Sequence, residues 1–283
     1  MPSVLVTGHR GLLGSTLVRV LREAGSVVHT FDGDLTDERV FRAFVDRMDA
    51  LDIIVHTAAA TDVKRCEQEQ EWCTRINVDG TRIVRDAAVS RQAKLIFIST
   101  VSVFSGEVGN YSEGDEPDPR NHYNTTKFLG EKIVLEYEHG LVLRLNLIGI
   151  HPDGSRGKNF MEWLVDSVRG NKDMKLFTDI RINPLSNVTL AEQIRDLILQ
   201  WPTNRILHLG SRTVLSKADI GRMVLARFPE YRGIAEFVSI DDVPSKAFRS
   251  KEMWLNVERV QQQLGMRMPT VEEEVSRILK TIS

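Results

Sequence analysis

An α/β protein built on a doubly wound parallel sheet, followed by a smaller α/β lobe, is what this sequence predicts. Three observations carry that expectation. Short apolar runs alternate with longer amphipathic segments through the first half of the chain. Several of those runs, such as residues 52–55 and 95–98, are apolar at nearly every position. The rhythm then changes after residue 150. Strands separated by stretches of helical length need crossovers, and a right-handed crossover makes neighbouring strands parallel. Near-continuous apolar strands suit a sheet covered on both faces.

The elements follow in order. Residues 3–7 read as a strand, and Leu13, Leu17, Val20 and Leu21 then recur at helical spacing until Gly25 supplies a stop. A second strand is expected over 27–31, then a helix presenting Val40, Phe41, Phe44, Val45 and Met48 on one face. Residues 52–56 and 95–99 are further strands, with one helix expected across 67–90 between them. A helix over 121–138 and a strand over 141–145 complete this half. Beyond it, His151, Pro152, Asp153 and Gly154 open a loop signal through residue 157. Helices are expected over 160–169, 190–200 and 219–228, with short strands over 175–178, 205–209 and 236–240. The last helix begins at Thr270, and Glu273 three residues on makes a capping box. Residues 1–150 are thus expected to form a dinucleotide-binding domain, with the chain returning to it near 187–211. Residues 151–283 are expected to be mainly a substrate-binding lobe.

Bulk properties narrow the function classes. The 283 residues are 42% hydrophobic and 27% charged, enough for a substantial core. A net charge of −2 gives no general attraction to nucleic acid or to an anionic membrane. No apolar stretch approaches the roughly 20 residues that cross a bilayer. The start of the chain lacks a signal-peptide core, so a cytoplasmic setting is expected. The two cysteines, Cys66 and Cys73, make no metal-binding pattern and read as free, buried, reduced thiols.

Three groups of residues carry chemistry. The first is Gly8-His9-Arg10-Gly11-Leu12-Leu13-Gly14, which follows the first strand and opens the first helix. Glycines there permit a tight turn and let a pyrophosphate approach backbone N–H groups at the positive end of a helix. The order of strand, glycine turn and helix makes this a Rossmann-type dinucleotide site. Arg10 could meet an adenosine 2′-phosphate, or lie solvated at the surface. Asp32, near the end of the second strand, argues the other way, because a carboxylate there holds the free ribose hydroxyls of NAD. NADP(H) is favoured and NAD(H) stays open.

The second group is Tyr123 and Lys127, four apart at the start of a helix and therefore on one face. An ammonium beside the phenol, with an oxidised nicotinamide nearby, is expected to favour phenolate and let the tyrosine exchange a proton with a carbonyl or alcohol oxygen. The third is Ser99-Thr100-Val101-Ser102-Val103-Phe104 at the end of a strand, where ligands bind in an open parallel sheet. A hydroxyl there, Thr100 first and Ser99 or Ser102 as competitors, could donate to the reacting oxygen.

Together with His56-Thr57-Ala58-Ala59-Ala60 and Ile76-Asn77-Val78-Asp79-Gly80-Thr81, these strings resemble the extended short-chain dehydrogenase/reductases. Val103-Phe104-Ser105-Gly106, the acidic run over 111–119, Gly130-Glu131 and Leu255-Asn256-Val257-Glu258-Arg259 resemble the dTDP-4-dehydrorhamnose reductase branch. The resemblance implies a catalytic triad of Thr100, Tyr123 and Lys127. It implies a cofactor site made by residues 8–14, Asp34, Leu35, Ala58, Ala59, Ala60, Asn77, Ser99, Tyr123 and Lys127. Asn77 also reads as a helix-bending or capping amide. Substrate contacts are implied for Val101, Ser102, Asn146, Asn159 and Arg181, with Arg144 and Lys158 beside them; ordinary surface roles stand equally for Lys158, Asn159 and Arg181.

Two departures matter. Nucleotide-sugar dehydratases carry an Asp-Glu pair after the threonine, where this chain has Val101 and Ser102, so dehydration is disfavoured. A glutamate that holds magnesium between subunits in some relatives matches Thr16, so no metal is expected. The expected activity is NAD(P)H-dependent reduction of a 4-keto-6-deoxy nucleotide sugar, with a homodimer allowed by the resemblance. A nucleotide-sugar epimerase retaining NAD, or a non-catalytic NADP-binding regulatory subunit, are the alternatives.

Overall fold

The computed structural model describes residues 1–151, 159–243 and 250–282. The loop signal at 152–157 and Lys158 lie outside the described residues.

Two compact units make up the chain. The first comprises Met1–Phe104, Glu116–Arg144 and Ala191–Leu207. Its first half runs β1 (Ser3–Thr7), α1 (Leu12–Glu23), β2 (Val27–Thr30), α2 (Glu38–Asp46) and β3 (Ile53–His56). There follow α3 (Val63–Gln68), α4 (Gln70–Thr74), a π-turn over Arg75–Asp79, α5 (Gly80–Arg91) and β4 (Lys94–Thr100). A 3₁₀ turn at Val101–Val103 leads on to α6 (His122–Leu135) and β5 (Gly140–Leu145). In the sheet the order is β10-β5-β4-β3-β1-β2, where β10 is Ile206–Leu209. β1 lies parallel to both β2 and β3, with Thr7 in register with His56, and β3 lies parallel to β4. The winding direction therefore reverses between β1 and β3, and the crevice beyond their carboxyl ends is where an open α/β sheet binds ligands.

The strands alternate their side chains between two covered faces. Leu5, Ile54, Leu95, Phe97 and Val142 share one buried cluster with Phe41 and Val45 of α2 and Val84, Ala87 and Ala88 of α5. Their neighbours Val4, Val6, Ile53, Val55 and Ile96 are equally buried, as expected of a sheet shielded on both sides.

The single helix expected over 67–90 is instead four pieces. Asp62 caps α3, Glu69 leaves helical geometry, and the π-turn inserts an extra residue before α5. The π-turn has a physical cause in Asn77: its buried side-chain amide turns away from the helix surface to bind the backbone of Ala60. A π-turn is how a helix accommodates one residue more than its period allows.

The second unit comprises Ser105–Asp115, Leu145–Leu190 and His208–Ser283. It contains β6 (Leu147–Ile148), α7 (Phe160–Arg169), β7 (Met174–Phe177), β8 (Arg181–Ile182) and β9 (Leu185–Ser186), with α8 (Asn187–Leu199) leading back to the first unit. After β10 come β11 (Leu215–Ser216), α9 (Lys217–Arg227), β12 (Ala235–Val238), β13 (Glu252–Met253), α10 (Glu258–Leu264) and α11 (Val271–Leu279). Its sheets are small: β11-β8-β13, β12-β7 and β6-β9. The core of this unit joins Met161, Leu164 and Val168 of α7 to Leu176, Ile220, Val224, Val275 and Ile278. Segment 105–115 belongs here because the Gly106 carbonyl accepts from the N–H groups of Lys251 and Glu252, and Tyr111 bridges to Leu255.

Capping boxes start three helices of this unit. The Thr270–Glu273 box that the sequence predicts at α11 is present, and Asn159–Glu162 and Ser216–Asp219 do the same for α7 and α9. No helix among the described residues is long and apolar enough to cross a membrane. Replacing Thr270 with Ala leaves the first-turn N–H groups of α11 uncapped and should cost about 1 kcal/mol, read as a lower urea midpoint with an unchanged slope.

Candidate active site

The glycine turn is built by close approach. Gly8 has φ +68, and a Cβ there would stand 2.6 Å from the Ala58 nitrogen, so the loops after β1 and β3 touch at this point. A Cβ on Gly14 would lie 2.3 Å from the Gly8 carbonyl oxygen and 2.9 Å from Thr57 Oγ1. Both positions therefore exclude any side chain. Gly11 precedes α1 with no side-chain cap, and the buried Leu13 anchors the helix while Leu12 is partly exposed. Backbone N–H groups of a first turn left uncapped by side chains suit a diphosphate.

Arg10 and Asp32, which the sequence sets against each other, bind one another. Arg10 Nη2 and His9 Nε2 both face Asp32 Oδ1, the latter at 3.3 Å, and all three side chains keep solvent exposure. Asp34 uses its carboxylate on its own turn, accepting from the Thr36 N–H and hydroxyl at 2.8 Å each, which holds it below the usual carboxylate range. Leu35 packs at the margin of the sheet core.

Behind the loops runs a chain of buried polar groups whose directions can be assigned. Thr81 donates to the Asn77 carbonyl at 2.6 Å, so it accepts from His56 Nε2 at 3.1 Å. His56 is therefore the Nε2–H tautomer, and Nδ1 accepts from Thr7 at 2.7 Å. Burial, with Lys127 nearby, pushes the imidazole down to about 3, keeping it neutral. The Asn77 side chain accepts from the Ala60 N–H at 2.8 Å and donates to the Ala60 carbonyl at 3.1 Å and to Thr126 Oγ1 at 3.0 Å. Thr126 in turn donates to the Tyr123 carbonyl at 2.7 Å. Asn77 thus fastens the alanine loop to the first turn of α6, and its amide is spent on protein groups rather than left for a cofactor. Ala58 and Ala59 stay partly exposed at the crevice; Ala60 is buried.

Asn121 caps α6, accepting from the Asn124 N–H at 2.8 Å. One turn in, Tyr123 packs against the cluster of Ala60, Cys66 and Cys73. Both thiols are free and buried. Burial pushes the phenol above its ordinary value, and the two thiols add to that. The sequence expectation ran the other way, with lysine lowering the phenol; within the chain itself desolvation is the larger effect. Lys127 is 4% exposed and its ammonium lies 4.0 Å from the centre of the Phe97 ring on β4. Gly130 makes room for that ring, since a Cβ there would meet Phe97 at 2.7 Å. Burial pulls the lysine down to about 7, opposed by Glu131 one turn later.

Thr100 ends β4, and its Oγ1 accepts from the Ser102 N–H at 3.1 Å, which orients the hydroxyl and leaves its proton for another acceptor. Ser99 does not compete for that role: it is 3% exposed and donates to Glu131 Oε1 at 2.5 Å. Val101 is buried and Ser102 is partly exposed. Neither supplies a titrating group, as the sequence reading requires for a site that does not dehydrate.

The implied sugar contacts distribute differently. Arg144, expected to line the nicotinamide and sugar, is 2% exposed and turned inward, binding Glu131 through Nε at 3.0 Å and Nη2 at 2.7 Å. In the second unit, Asn159 is the capping amide of α7, accepting from Met161 and Glu162 N–H groups and donating to the Gly149 carbonyl at 3.0 Å. Asn146 donates to the Met253 carbonyl at 3.2 Å, and Arg181 faces Glu252 at 3.6 Å with half its side chain exposed. Sequence reasoning gave no role to Glu131, His56, Phe97 or Thr126. The spacing of Glu131, four residues after Lys127 on the same helix face, was the available signal.

Residues 2–283 match the family described as RmlD substrate binding domain. The chain is 30% identical to a probable low-salt glycan biosynthesis reductase of Haloferax volcanii, over 96% of each chain. It is 27% identical to a dTDP-4-dehydrorhamnose reductase of Escherichia coli (strain K12), over 99% of this chain and 98% of that protein. A crystal structure of dTDP-4-dehydrorhamnose reductase from Bacillus anthracis in complex with NADP superposes with a TM-score of 0.89 at 26% identity, covering 99% of this chain and 100% of the other. A family match over almost every residue, with the same fold in an enzyme of that name, settles the membership: this chain belongs to the RmlD family.

Proposed function

We propose that the protein is a reductase of a 4-keto-6-deoxy nucleotide sugar, using NADP(H) in preference to NAD(H). One observation carries the reading. In a neighbourhood where Ser99, Glu131, Arg144, Asn77 and His56 are all engaged in structural bonds, the Thr100 proton, the Tyr123 hydroxyl and the Lys127 amine have no hydrogen bond among the described residues. The names of the relatives, which are sugar-nucleotide and glycan reductases, and the NADP in the Bacillus anthracis structure point the same way.

The dinucleotide, when bound, supplies the hydride. The glycine turn suits its diphosphate because Gly8 and Gly14 admit no side chain and α1 begins without a side-chain cap. Ala58 and Ala59 allow close backbone approach. Tyr123 then serves as the acid that protonates the ketone oxygen, and its elevated pKa keeps the proton in place until the oxygen becomes basic. Thr100 donates a hydrogen bond to the same oxygen, and a preorganised donor of this kind contributes about 3–4 kcal/mol in other enzymes. Lys127 lowers the cost of the phenolate that results and binds the nicotinamide ribose. In the first unit, Val101 and Ser102 follow Thr100 directly and are the positions proposed to meet the sugar, which makes Val101 a determinant of substrate choice. The same reading carries a cytoplasmic setting and a homodimer.

Tyr123→Phe should lower reduction of dTDP-4-dehydrorhamnose by NADPH on the order of 10²–10⁴-fold while NADPH binding, read by fluorescence titration, stays within about threefold. Reduction at the parent rate by that variant would remove the acid from this scheme. Gly14→Ala should weaken NADPH binding at least about tenfold, because the new methyl displaces the Gly8 carbonyl; unchanged affinity would place the diphosphate elsewhere. The pH dependence follows from Lys127. The reaction needs its ammonium, and kcat/KM reports groups of the free enzyme. With the lysine at about 7, kcat/KM should be full below that pH and fall as pH rises through it. A flat profile to about pH 9 contradicts an essential ammonium at Lys127.

A further inference from the structure

Glu131 is the most deeply placed carboxylate of the first unit, at 1% exposure, and three elements converge on it. It stands on α6 one turn beyond Lys127. Its Oε1 accepts from Ser99 Oγ at 2.5 Å and Arg144 Nε at 3.0 Å, and its Oε2 accepts from Arg144 Nη2 at 2.7 Å. Ser99 is the residue immediately before Thr100, and Arg144 is the penultimate residue of β5. One carboxylate therefore pins the ends of β4 and β5 to the helix that carries Tyr123 and Lys127.

Stability does not explain such a group. Removing two charges from water costs more than their attraction commonly returns, and apolar replacements of buried pairs are frequently neutral or stabilising. Arg144 Nη1 is buried without a hydrogen-bond partner, so the pair is not even fully satisfied. What the arrangement does supply is a negative charge beside a lysine that, among the described residues, has no carboxylate bonded to it and rests on an aromatic face. Of the other groups facing Lys127, Cys73 adds support that ranks after that of Glu131. His56 on β3 is neutral, Cys73 on α4 is a buried thiol, and Tyr123 on α6 is an un-ionised phenol. Arg144 on β5 is cationic and is paired with Glu131 at 2.7 Å.

We propose that Glu131 is a positioning residue for the reduction, holding the Ser99–Thr100 strand end against α6 and keeping Lys127 an ammonium. This deepens the reading above and rests on it for the meaning of Thr100 and Lys127. Burial pulls the lysine down and Glu131 is the first group that opposes it, so the value of about 7 already includes the carboxylate's support. Ser99 sets the height of Thr100 relative to Tyr123 through the same oxygen that Arg144 Nε holds.

Glu131→Gln removes the charge and keeps the shape, but strands the Arg144 guanidinium. The double variant Glu131→Gln with Arg144→Met removes that stranded charge as well and is the one expected to fold with a melting temperature near the parent's. Two readouts separate positioning from structure. In lysine-labelled full-length protein, the ¹³C titration of the Lys127 side chain, assigned with Lys127→Gln, should have its midpoint moved to lower pH by about half a unit or more in both variants. With dTDP-4-dehydrorhamnose and NADPH, the high-pH limb of kcat/KM should move by the same amount, and kcat at pH 8 should fall on the order of tenfold with little change in KM for NADPH. A folded double variant with the parent's lysine midpoint and the parent's pH limb overturns the proposal. The lysine titration does not depend on turnover, so an inactive parent would sink the substrate reading while still deciding the role of Glu131. An active parent with an inactive Tyr123→Phe and an unaffected Glu131 pair would sink this inference alone.

Discussion

The buried amide of Asn77 is the constraint on which the rest of the first unit depends. A side-chain amide has two donors and an acceptor site to satisfy, and leaving any of them unpaired in the interior costs about 1–3 kcal/mol. Asn77 meets that demand by binding both backbone groups of Ala60 and the Thr126 hydroxyl. Each partner lies on a different element. The alanine loop is thereby held against Gly8, which must be glycine because that loop leaves no space for a Cβ. The Thr126 end fixes the first turn of α6, where Tyr123 sits. The helix that carries Asn77 passes through a π-turn at that residue, so the irregularity in the secondary structure coincides with the clasp that orders the site.

Burial sorts the ionisable groups around that clasp into opposite roles. The same desolvation raises the phenol of Tyr123 and lowers the amine of Lys127 and the imidazole of His56. A neutral His56 can link Thr7 to Thr81 with one fixed tautomer, which a protonated ring could not do. A protonated Tyr123 suits the acid of the proposed reduction. Lys127 is the group that burial works against, since the proposed reduction needs it as a cation. The Glu131 carboxylate, then Cys73, and the Phe97 face favour its charged form.

Much of this was legible in the sequence, and the boundary between what was and what was not is physical. The alternation of apolar strands and amphipathic segments located β1, β3, β4 and β5 within a residue or two, because a sheet buried on both faces writes itself as continuous Val, Ile and Leu. Glycine spacing located the turn, since Gly8 and Gly14 are each required by a contact shorter than any side chain permits. The helix over 67–90 was misread as continuous because a π-turn driven by a long-range amide leaves no periodic mark. Asn159 looked like a ligand contact and is a helix cap; the Glu162 three residues later carried the capping signal, as Glu273 did for Thr270. Arg144 was read as facing the crevice because its partner lies 13 residues earlier on another element, and no local pattern connects the two.

The charged pair at the mouth of the glycine turn shows how a sequence conflict can be a structural statement. Asp32 alone would repel a 2′-phosphate, and Arg10 alone would attract one. In the folded chain the two are bound to each other, with His9 on the same carboxylate oxygen, so neither charge presents itself unopposed at the end of β2. The pair is more than half exposed, where an ion pair contributes at most about 1 kcal/mol. Arg10 can then turn to the phosphate while His9 stays with Asp32, or Asp32 can turn to a ribose diol while Arg10 meets solvent. The contradictory signals for the two dinucleotides are in this way properties of one weak, shared contact, which makes the proposed preference for NADP(H) a matter of degree rather than of exclusion.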